Sequence, residues 1–477
     1  MKRTHAFRSD FPPDLNDAEL DALRHLSWQI DCPRMILKSR SPNKPETYYG
    51  SGIIAQSDGG QLNFKLFATR ERNTEKWVFA SPYEAGEILP DKAYFDLKAT
   101  DFNGREWKSD RFIPSFSRSA SGKAVVSGEI YDLFATGDFP PRAGFSGCSL
   151  SFWVFDAIKI PFNERTSIRK SVARGRQKFR SGTLNAWKFR CLNTDFLIVQ
   201  ESNDLLTIRA YSTKYRFPKY FENRIIEALE LVLGRPIQWL VMKKRIERSL
   251  EIVVRSKRSI SSKGRFQAPL PNTLIENPKT GKLTSIYHRN LVELYLKHTL
   301  GHDVKRHPLW GKRNAIYEAS SASFIDAEAL TLTVVIESLL TSEFPNLGHL
   351  SNIDVRWVRK ASDYFEAWNG KEEIKNRIRG LISTLNQPRA LDIMRELERL
   401  GAITDGQYRA WQKLRNPSAH SYQSSNIPTR ELIDLLEENR VLFYHLIFFA
   451  IGYKGPYVDY TTPDWPLKRY PDRTPWI

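Results

Sequence analysis

The chain has 477 residues, of which 41% are hydrophobic and 26% charged, so it is long enough for two or three domains with buried cores. This composition excludes a disordered or collagen-like protein and a single small binding module. Lys and Arg outnumber Asp and Glu by 72 to 54, and the resulting net charge of +18 favours an anionic partner such as nucleic acid or a lipid surface.

The cysteines and the N-terminus predict a cytoplasmic protein. Three widely spaced cysteines exclude a disulfide framework and a zinc knuckle. The first residues, MKRTHAFRSDFPPDLND, lack the apolar segment of a signal peptide. The longest apolar run, VLFYHLIFFAIGY at 441–453, is shorter than the roughly 20 residues that a membrane helix needs, so we expect no membrane partner.

The first part of the chain has the two-residue periodicity of β-strands. Apolar and polar residues alternate over much of 47–211, and Asp58-Gly59-Gly60 and Asn103-Gly104 are typical of tight hairpin turns. An amphipathic helix over 221–233 ends at Gly234, whose missing Cβ suits a helix C-terminus. We therefore predict a β-rich N-terminal domain at 1–256, a sandwich or distorted barrel with a sensing or regulatory role.

The second part is helical. Residues 257–320 lose the strand periodicity and are predicted to form a linker and a connecting helix. Residues 321–452 are predicted to form a helical bundle, and 453–477 an extended tail along the surface. The predicted helices lie at 286–299, 324–340, 352–368, 372–386, 389–400, 406–414 and 429–452. The fold class predicted from these patterns is a multidomain α+β protein with an antiparallel β-rich domain followed by an α-helical bundle.

Motifs for nucleotide or metal chemistry are missing. The sequence contains neither a phosphate-binding GxxxxGK[ST] loop nor a GxGxxG turn after a strand. His298, His302 and His307 begin with the spacing of a helical metal pair, but Gly301 interrupts the helix and no HExxH glutamate is present. We interpret them as loop histidines and predict neither a metal nor a cofactor.

Two basic segments are candidates for RNA binding. The segments 165–190 and 243–265 each carry nine Lys and Arg, and the first also carries Phe179, Trp187 and Phe189. Cations at this density neutralise phosphates, and aromatic rings can stack on unpaired bases. The alternative is a solvated loop and a charged strand edge that resists aggregation. The predicted RNA-binding residues are Arg169, Lys170, Arg174, Arg176, Lys178, Arg180, Lys243, Lys244 and Arg245.

The segment Arg415-Asn416-Pro-Ser-Ala-His420 is the candidate catalytic motif. A phosphodiester of RNA can be cut without metal if a base takes the proton of the ribose 2′-OH and a cation stabilises the added negative charge. Histidine titrates near neutrality, and arginine presents a planar fork to phosphate oxygens. The arginine and the histidine, placed across a helix end and a short turn, can point into one cleft.

Spacing alone is weak support for this motif, because an arginine followed by a histidine five positions later occurs twice in the chain. The second case, Arg440 and His445, lies inside an apolar helix and is interpreted as packing. The alternative for the first case is structural: Arg415 would close a helix C-terminus and Asn416-Pro417 would be an ordinary turn.

Arg415, Asn416 and His420 resemble the motif of the HEPN superfamily, in which an arginine and a following polar residue precede a histidine by a few positions. The helical region 321–452 is similar in size to that fold, and a β-rich region before it looks like the ApeA-type proteins of bacterial anti-phage defence. The resemblance implies a metal-independent RNase, a homodimer that joins two Arg/His pairs, and a toxin that cuts RNA, tRNA among its candidate substrates. Glu337, isolated in an apolar helix, is a candidate for an additional polar residue of the site, and a boundary carboxylate is the favoured interpretation.

Two readings of the function remain open. The first is an endoribonuclease that acts as an abortive-infection effector in anti-phage defence, with a phage-derived protein as the candidate trigger. The second is a non-catalytic regulator that binds nucleic acid or protein on the same scaffold, including a regulator that binds duplex DNA.

Overall fold

The computed structural model describes residues 15–42, 46–70, 89–118, 124–138, 147–167, 182–213, 216–247, 249–257, 267–321, 324–348, 352–385, 388–419 and 427–476. The chain divides into two compact units. Unit 1 comprises 1–158, 162–217 and 237–260, and unit 2 comprises 159–161, 218–236 and 261–477. Residues 218–236 thus belong with the C-terminal unit, although β-strands precede and follow them along the chain.

Unit 1 consists of a short helix and many strands. The helix α1 spans Asp17–Arg24. The strands in the described residues are β1 (Gln29–Ser39), β2 (Thr47–Gln56), β3 (Leu62–Arg70), β4 (Phe95–Thr100), β5 (Glu106–Phe112), β6 (Ser115–Arg118), β7 (Ala124–Ile130), β8 (Asp132–Asp138), β9 (Cys148–Val154), β10 (Glu164–Ser167), β11 (Gly182–Cys191), β12 (Thr194–Ser202), β13 (Leu205–Ser212), β14 (Trp239–Ile246) and β15 (Ser249–Arg255).

These strands form one sheet. Their order is β10-β11-β12-β13-β9-β14-β15-β8-β5-β4-β1-β2-β3-β7-β6, and the neighbours pair antiparallel, as in β1 with β2 and β14 with β15. In the described part of unit 1 the strands are therefore not divided between two hydrogen-bonded sheets. The predicted antiparallel β-rich region is confirmed.

Both predicted hairpins are confirmed. Strands β2 and β3 pair with Gln56 opposite Leu62, and Gly60 between them has φ +84°. Strands β4 and β5 pair with Thr100 opposite Glu106, and Gly104 in their turn has φ +78°. Glycine adopts these positive φ values without the steric cost of a Cβ, which is why the sequence marks the turns so clearly.

The core of unit 1 is formed by the alternate residues of its strands. In β9, Cys148, Leu150, Phe152 and Val154 are buried, while the residues between them are partly exposed. This alternation is the pattern of strands with one face against a core, because successive side chains point to opposite faces of a sheet.

The helix α1 is attached to the sheet by a buried ion pair. Asn16 and Glu19 form a capping box at its N-terminus. The Glu19 carboxylate also accepts a hydrogen bond of 3.0 Å from Arg105, whose side chain is 1% exposed. The Arg105 guanidinium lies over the ring of Trp107, so an arginine in the core has both an anionic and an aromatic partner.

Unit 2 contains the helices and two small hairpins. Its helices in the described residues are α2 (Phe221–Leu233), α3 (Ile286–Thr299), α4 (Pro308–Ser321), α5 (Ile325–Glu343), α6 (Asn352–Ala367), α7 (Glu372–Leu385), α8 (Ala390–Arg399), α9 (Asp405–Ala419) and α10 (Thr429–Ile451). The hairpins are β16 (Ile275–Glu276) with β17 (Leu283–Thr284), and β18 (Gly455–Val458) with β19 (Leu467–Tyr470).

Most of the predicted helices are confirmed within one or two residues, but α4 was not among them. Its sequence, PLWGKRNAIYEASS, has little helical periodicity because Arg313 is buried together with its apolar neighbours. Arg313 donates a hydrogen bond of 2.5 Å to Glu230 of α2. The ion pair therefore fixes a helix that a search for an apolar stripe does not detect.

The prediction of a surface tail is wrong for its aromatic residues. Tyr453, Tyr457, Tyr470 and Trp476 are at most 6% exposed. Tyr457 and Tyr470 lie against the ring of His445 in α10, with ring centroids 4.7 and 4.9 Å away. The tail folds into the β18–β19 hairpin because burying these rings stabilises unit 2 more than exposing them would.

The α+β class is confirmed by a β-rich unit followed by a helical one. In the described part of the chain, no helix combines the length and the apolar character that crossing a lipid bilayer would require. Helices α5, α9 and α10 of unit 2 pack against one another and hold the candidate site.

Candidate functional site

Arg415 lies inside α9, and not in a turn between helices as predicted. The predicted helix ended at residue 414, whereas α9 continues to Ala419. Pro417 misled the prediction because proline disfavours helix interiors. Here it stands in the last turn of α9, and the helix continues through it, so Arg415 and Asn416 have helical backbones.

Arg415 forms an ion pair with Glu337 of α5. Its Nε lies 3.3 Å from Glu337 Oε2 and its Nη2 lies 3.1 Å from Oε1, a bidentate arrangement that fixes the plane of the guanidinium. The two side chains are 37% and 40% exposed, so solvent reaches both groups. In the described residues the Nη1 group of Arg415 donates no hydrogen bond, and it can be offered to an anion.

The Arg415 guanidinium also lies over a buried aromatic ring of the same helix. Trp411, one turn before Arg415 on α9, is fully buried, and the Arg415 Cζ lies 5.5 Å from the centroid of its ring. The arginine is thus held by the Trp411 ring and the Glu337 carboxylate. Such a preorganised guanidinium loses little side-chain entropy when it binds a phosphate.

Glu337 is the residue that sequence reasoning set aside. It is the single charged residue between positions 329 and 342 of α5, on an otherwise apolar and hydroxylated stretch. An isolated carboxylate in such a stretch needs either solvent or a cation. That signal could have identified it as a partner of the motif, but the pairing with Arg415 depends on how α5 and α9 pack.

The remaining motif residues are only partly described. Asn416 belongs to α9 by its backbone, while its side chain and the whole of His420 lie outside the described residues. The catalytic roles assigned to Arg415, Asn416 and His420 stay predictions.

The second Arg/His pair is in the core, as interpreted from the sequence. Arg440 is 5% exposed, and its Nε donates a hydrogen bond of 3.0 Å to Glu328 of α5. His445 is 1% exposed and its Nδ1 lies 3.0 Å from the side chain of Gln407. Burial lowers the pKa of His445 to about 3, so this imidazole is neutral at physiological pH.

The basic segments are described only in part. Arg169, Lys170, Arg174, Arg176, Lys178 and Arg180 lie outside the described residues. Lys243, Lys244 and Arg245 are half-buried on β14, which lies between β9 and β15 inside the sheet and not at its edge. Consecutive strand residues point to opposite faces, so these three cations do not form one patch.

Lys243 lines a groove in unit 1. Its Nζ donates a hydrogen bond of 3.0 Å to the carbonyl of Leu15 and lies 5.0 Å from the centroid of the Trp153 ring. The groove has a volume of about 330 Å³, and its lining contains cations and carboxylates together, including Arg24, Arg209 and Glu201. RNA binding by Lys243, Lys244 and Arg245 stays a prediction.

The three histidines predicted to lie in a loop are close together, but the prediction is wrong for His298, which lies in the last turn of α3, because the helix continues to Thr299 before Gly301. The ring centroids of His298, His302 and His307 are separated by 4.6 to 6.0 Å, and His298 Nε2 lies 3.0 Å from Glu343 Oε2. Burial lowers the pKa of His307 to about 3. Nevertheless, among the residues that the structure describes, no group of three or more His, Cys, Asp or Glu is arranged to hold a metal ion.

Comparisons with known proteins identify no relative. No family model, no curated protein and no solved structure matches the chain. Any functional assignment therefore depends on the residues of this chain and on the resemblance of its motif.

Proposed function

We propose that the protein is a metal-independent endoribonuclease of HEPN type, with Arg415, Asn416 and His420 as its catalytic residues. The observation that supports this most is Arg415 itself. It is half-exposed on a packed helix and held by Glu337 and Trp411, and its Nη1 group, which donates no hydrogen bond to the described residues, can face a phosphate.

The proposed reaction needs no cofactor. His420 accepts the proton of the ribose 2′-OH, and the 2′-oxygen forms a bond to phosphorus. Arg415 stabilises the negative charge on the phosphoryl oxygens. The bond from phosphorus to the 5′-oxygen breaks and that oxygen takes up a proton, which leaves a 2′,3′-cyclic phosphate and a 5′-hydroxyl. The second acid/base group comes from His420 of the partner subunit in a homodimer.

In this proposal the exposed pair with Glu337 orients the catalytic arginine. A phosphate that approaches Arg415 competes with the carboxylate for Nε and Nη2, and it can use Nη1 while the pair persists. The protein would act in the cytoplasm as an abortive-infection effector in anti-phage defence. Unit 1 would recognise the trigger, with a phage-derived protein as the candidate and tRNA as a candidate substrate.

The test is cleavage of total RNA by the purified chain in the presence of EDTA, with analysis of the fragment ends. Arg415→Ala and His420→Ala should each lower the rate at least about 100-fold, the effect of losing a charge-stabilising or acid/base group. Arg409→Ala is the matched control, because Arg409 is also an exposed, ion-paired arginine of α9. A requirement for Mg²⁺, or equal cleavage of a 2′-deoxy substrate, would refute the proposal.

The ion pair also supports a second candidate function, a non-catalytic regulator that binds nucleic acid or protein. Glu337 neutralises Arg415, and a neutralised arginine at a helix packing site can be purely structural. This reading expects nucleic-acid or protein binding by the unmodified chain, no RNA cleavage, and no change in binding when Arg415 is replaced by Ala.

A further inference from the structure

Helices α6 and α7 form a hairpin that the described remainder of unit 2 does not bury. None of the described side chains of 354–367 and 372–383 is buried, although both helices are amphipathic. An isolated pair of helices of this length is marginal in water unless its apolar side is covered. The hairpin therefore carries a surface that is available to a partner.

The open surface contains large aromatic and aliphatic side chains. Trp357 and Tyr364 of α6 are 63% and 71% exposed, and Ile374 and Leu381 of α7 are 45% and 67% exposed. Residues seven apart on a helix differ by only about 20° around its axis, so each pair forms a stripe. Trp368, directly after α6, lies against Gly370 and continues the aromatic stripe.

Both stripes lie on the same side of the hairpin. Each helix also has half-buried residues beside its exposed stripe: Val358 and Phe365 on α6, Ile378 and Ile382 on α7. Viewed along each helix from its N-terminus, the rotation about the axis from the stripe to these residues has the same sense on both helices. Because the two helices are antiparallel, this common direction turns the half-buried residues toward each other and leaves both stripes on one face. We name this face, carrying Trp357, Tyr364, Trp368, Ile374 and Leu381, the hairpin face.

The charges of the hairpin are divided between its two sides. Measured around the axis of α6 from Trp357, Lys360 lies at about 60° and Arg356 at about 100°. Measured around the axis of α7 from Ile374, Arg377 lies at about 60°. Within the described residues these three cations form no ion pair, and Lys360 Nζ lies 4.6 Å from the centroid of the Trp357 ring. Two exposed carboxylates stand at the rims of this face: Asp363 on α6, about 120° from Trp357, and Glu373 on α7.

The acidic residues of the opposite side are already paired. Arg379 donates hydrogen bonds of 2.7 and 2.8 Å to Glu366 across the hairpin, and it lies 3.9 Å from Glu372. The hairpin face is therefore left with exposed rings and with three cations against two carboxylates, an excess of positive charge that complements an anionic partner with flat apolar groups. A second copy of this chain would bring the same excess of cations, whereas a nucleic acid brings only negative charge.

We propose that the hairpin face binds single-stranded RNA. Unpaired bases stack on Trp357 and Tyr364, and phosphates contact Lys360, Arg356 and Arg377. The two rings are about 10 Å apart along α6, which corresponds to about three nucleotides at 3.4 Å each. The identity of the nucleic acid as RNA rests on the proposed function. The hairpin face would present a single strand to a nuclease.

Binding can be measured separately from cleavage. The probe is a fluorescein-labelled 12-nucleotide RNA in which every 2′-oxygen is methylated, so that it cannot be cut through the 2′-OH. Fluorescence anisotropy of the full-length chain with this probe gives Kd at several salt concentrations. The double variant Trp357→Ala/Tyr364→Ala should raise Kd at least about tenfold without changing its salt dependence, because stacking carries no charge.

Replacing a charged residue should, in contrast, change the salt dependence of binding. Lys360→Gln should reduce the slope of log K against log salt by about 0.7, the value for one phosphate contact on a single strand. The aromatic replacement Trp357→Phe/Tyr364→Phe should keep most of the affinity. Trp465→Ala is the control, since Trp465 is 57% exposed elsewhere in unit 2. All of the changed positions are exposed, so the melting temperature should be unaltered.

Several results would overturn the proposal. Unchanged affinity in the Trp357→Ala/Tyr364→Ala variant would do so, as would equal affinity for a duplex of the same length, whose bases cannot stack on the protein. A loss of dimer in light scattering with unchanged RNA affinity would make the hairpin face a protein-docking surface. If the unmodified chain cuts no RNA and the Trp357→Ala/Tyr364→Ala variant still loses probe binding, the binding proposal stands and the nuclease is refuted. If the unmodified chain cuts RNA and the variant binds the probe with unchanged affinity, the nuclease stands and the binding proposal is refuted.

Discussion

The two units stabilise their interiors in different ways. In its described residues, unit 1 buries chiefly apolar side chains on alternating strand positions, with one buried ion-pair group around Arg105. The described part of unit 2 buries three such pairs, Arg224–Glu227, Arg313–Glu230 and Arg440–Glu328, and three histidines. A strand can keep its polar residues on the solvent face, whereas a helix surrounded on all sides must carry some of them inward.

This difference has consequences for stability. A buried ion pair contributes little net stability, but it is costly to break, because the remaining partner is left as an unpaired charge. A buried neutral histidine does not lower the free energy of unfolding at pH 7. In acid it does lower this free energy, because the histidine then binds a proton in the unfolded chain and not in the folded one. Unit 2 should therefore be the more sensitive to pH and to single charge-removing substitutions.

Acid should destabilise unit 2 selectively. Burial lowers the pKa of His288 to about 4, and that of His307 and His445 to about 3, and all three residues belong to unit 2. As the pH falls below about 6.5, the unfolded chain binds protons that the folded unit does not, so the free energy of unfolding decreases until the pH reaches the folded pKa. At pH 5 each histidine should cost about 2 kcal/mol, roughly 6 kcal/mol in all.

Hydrogen exchange at pH 7 and pH 5, followed by mass spectrometry, would measure this effect. After correction for the intrinsic pH dependence of exchange, α3 and α10 should lose protection while β1 and β9 keep it. Equal losses in both units would contradict the assignment. His445→Gln should remove part of this pH dependence.

Breaking one buried ion pair should have the next largest effect. Arg440→Ala leaves Glu328 unpaired in the core, and we expect a loss of about 3–5 kcal/mol in the free energy of unfolding. Urea denaturation of unit 2, followed by circular dichroism, would measure it. Arg430→Ala on the same helix is the matched control, because Arg430 is 86% exposed and should change stability by at most about 0.5 kcal/mol.

A double replacement sharpens this test. Arg440→Met combined with Glu328→Leu removes both charges and should recover most of the stability lost by Arg440→Ala. If the double variant were as unstable as the single one, packing of the long arginine side chain and not the unpaired charge would explain the loss.

The exposed pair at the candidate site should behave differently from the buried one. Glu337→Gln removes the charge from a pair whose side chains are 40% and 37% exposed, so its stability effect should stay within about 1 kcal/mol. If Glu337 orients Arg415, RNA cleavage should fall more than stability does. A stability loss as large as that of Arg440→Ala would show that the candidate pair is structural.

The smallest effect is expected for local opening of unit 1, which can be measured by chemical labelling of its cysteines. All three are buried and belong to unit 1. Burial raises the pKa of Cys32 to about 12 and that of Cys148 to about 11, so native thiols should react with iodoacetamide at pH 8 at least about 100-fold more slowly than in urea. Fast labelling of the native chain would indicate local opening of unit 1.

Local chemistry explains which elements were predictable. Gly60 and Gly104 occupy backbone conformations that other residues rarely adopt, and both hairpins followed from them. Helix α3 was predicted with the observed bounds, Ile286–Thr299. In contrast, α4 and the C-terminal hairpin were missed because Arg313 and the tail tyrosines gain their stability from residues far away in the sequence.

The candidate site shows the same division. The residues around each arginine were enough to make Arg415 the catalytic candidate and to distinguish it from Arg440, since one lies in a polar segment and the other in an apolar helix. Their partners come from residues far away in the sequence: Glu337 for the exposed arginine and Glu328 for the buried one, both from α5. A charge pattern along a chain records which residues need partners, but the packing of α5 against α9 and α10 determines which carboxylate each arginine meets and how much water surrounds the pair.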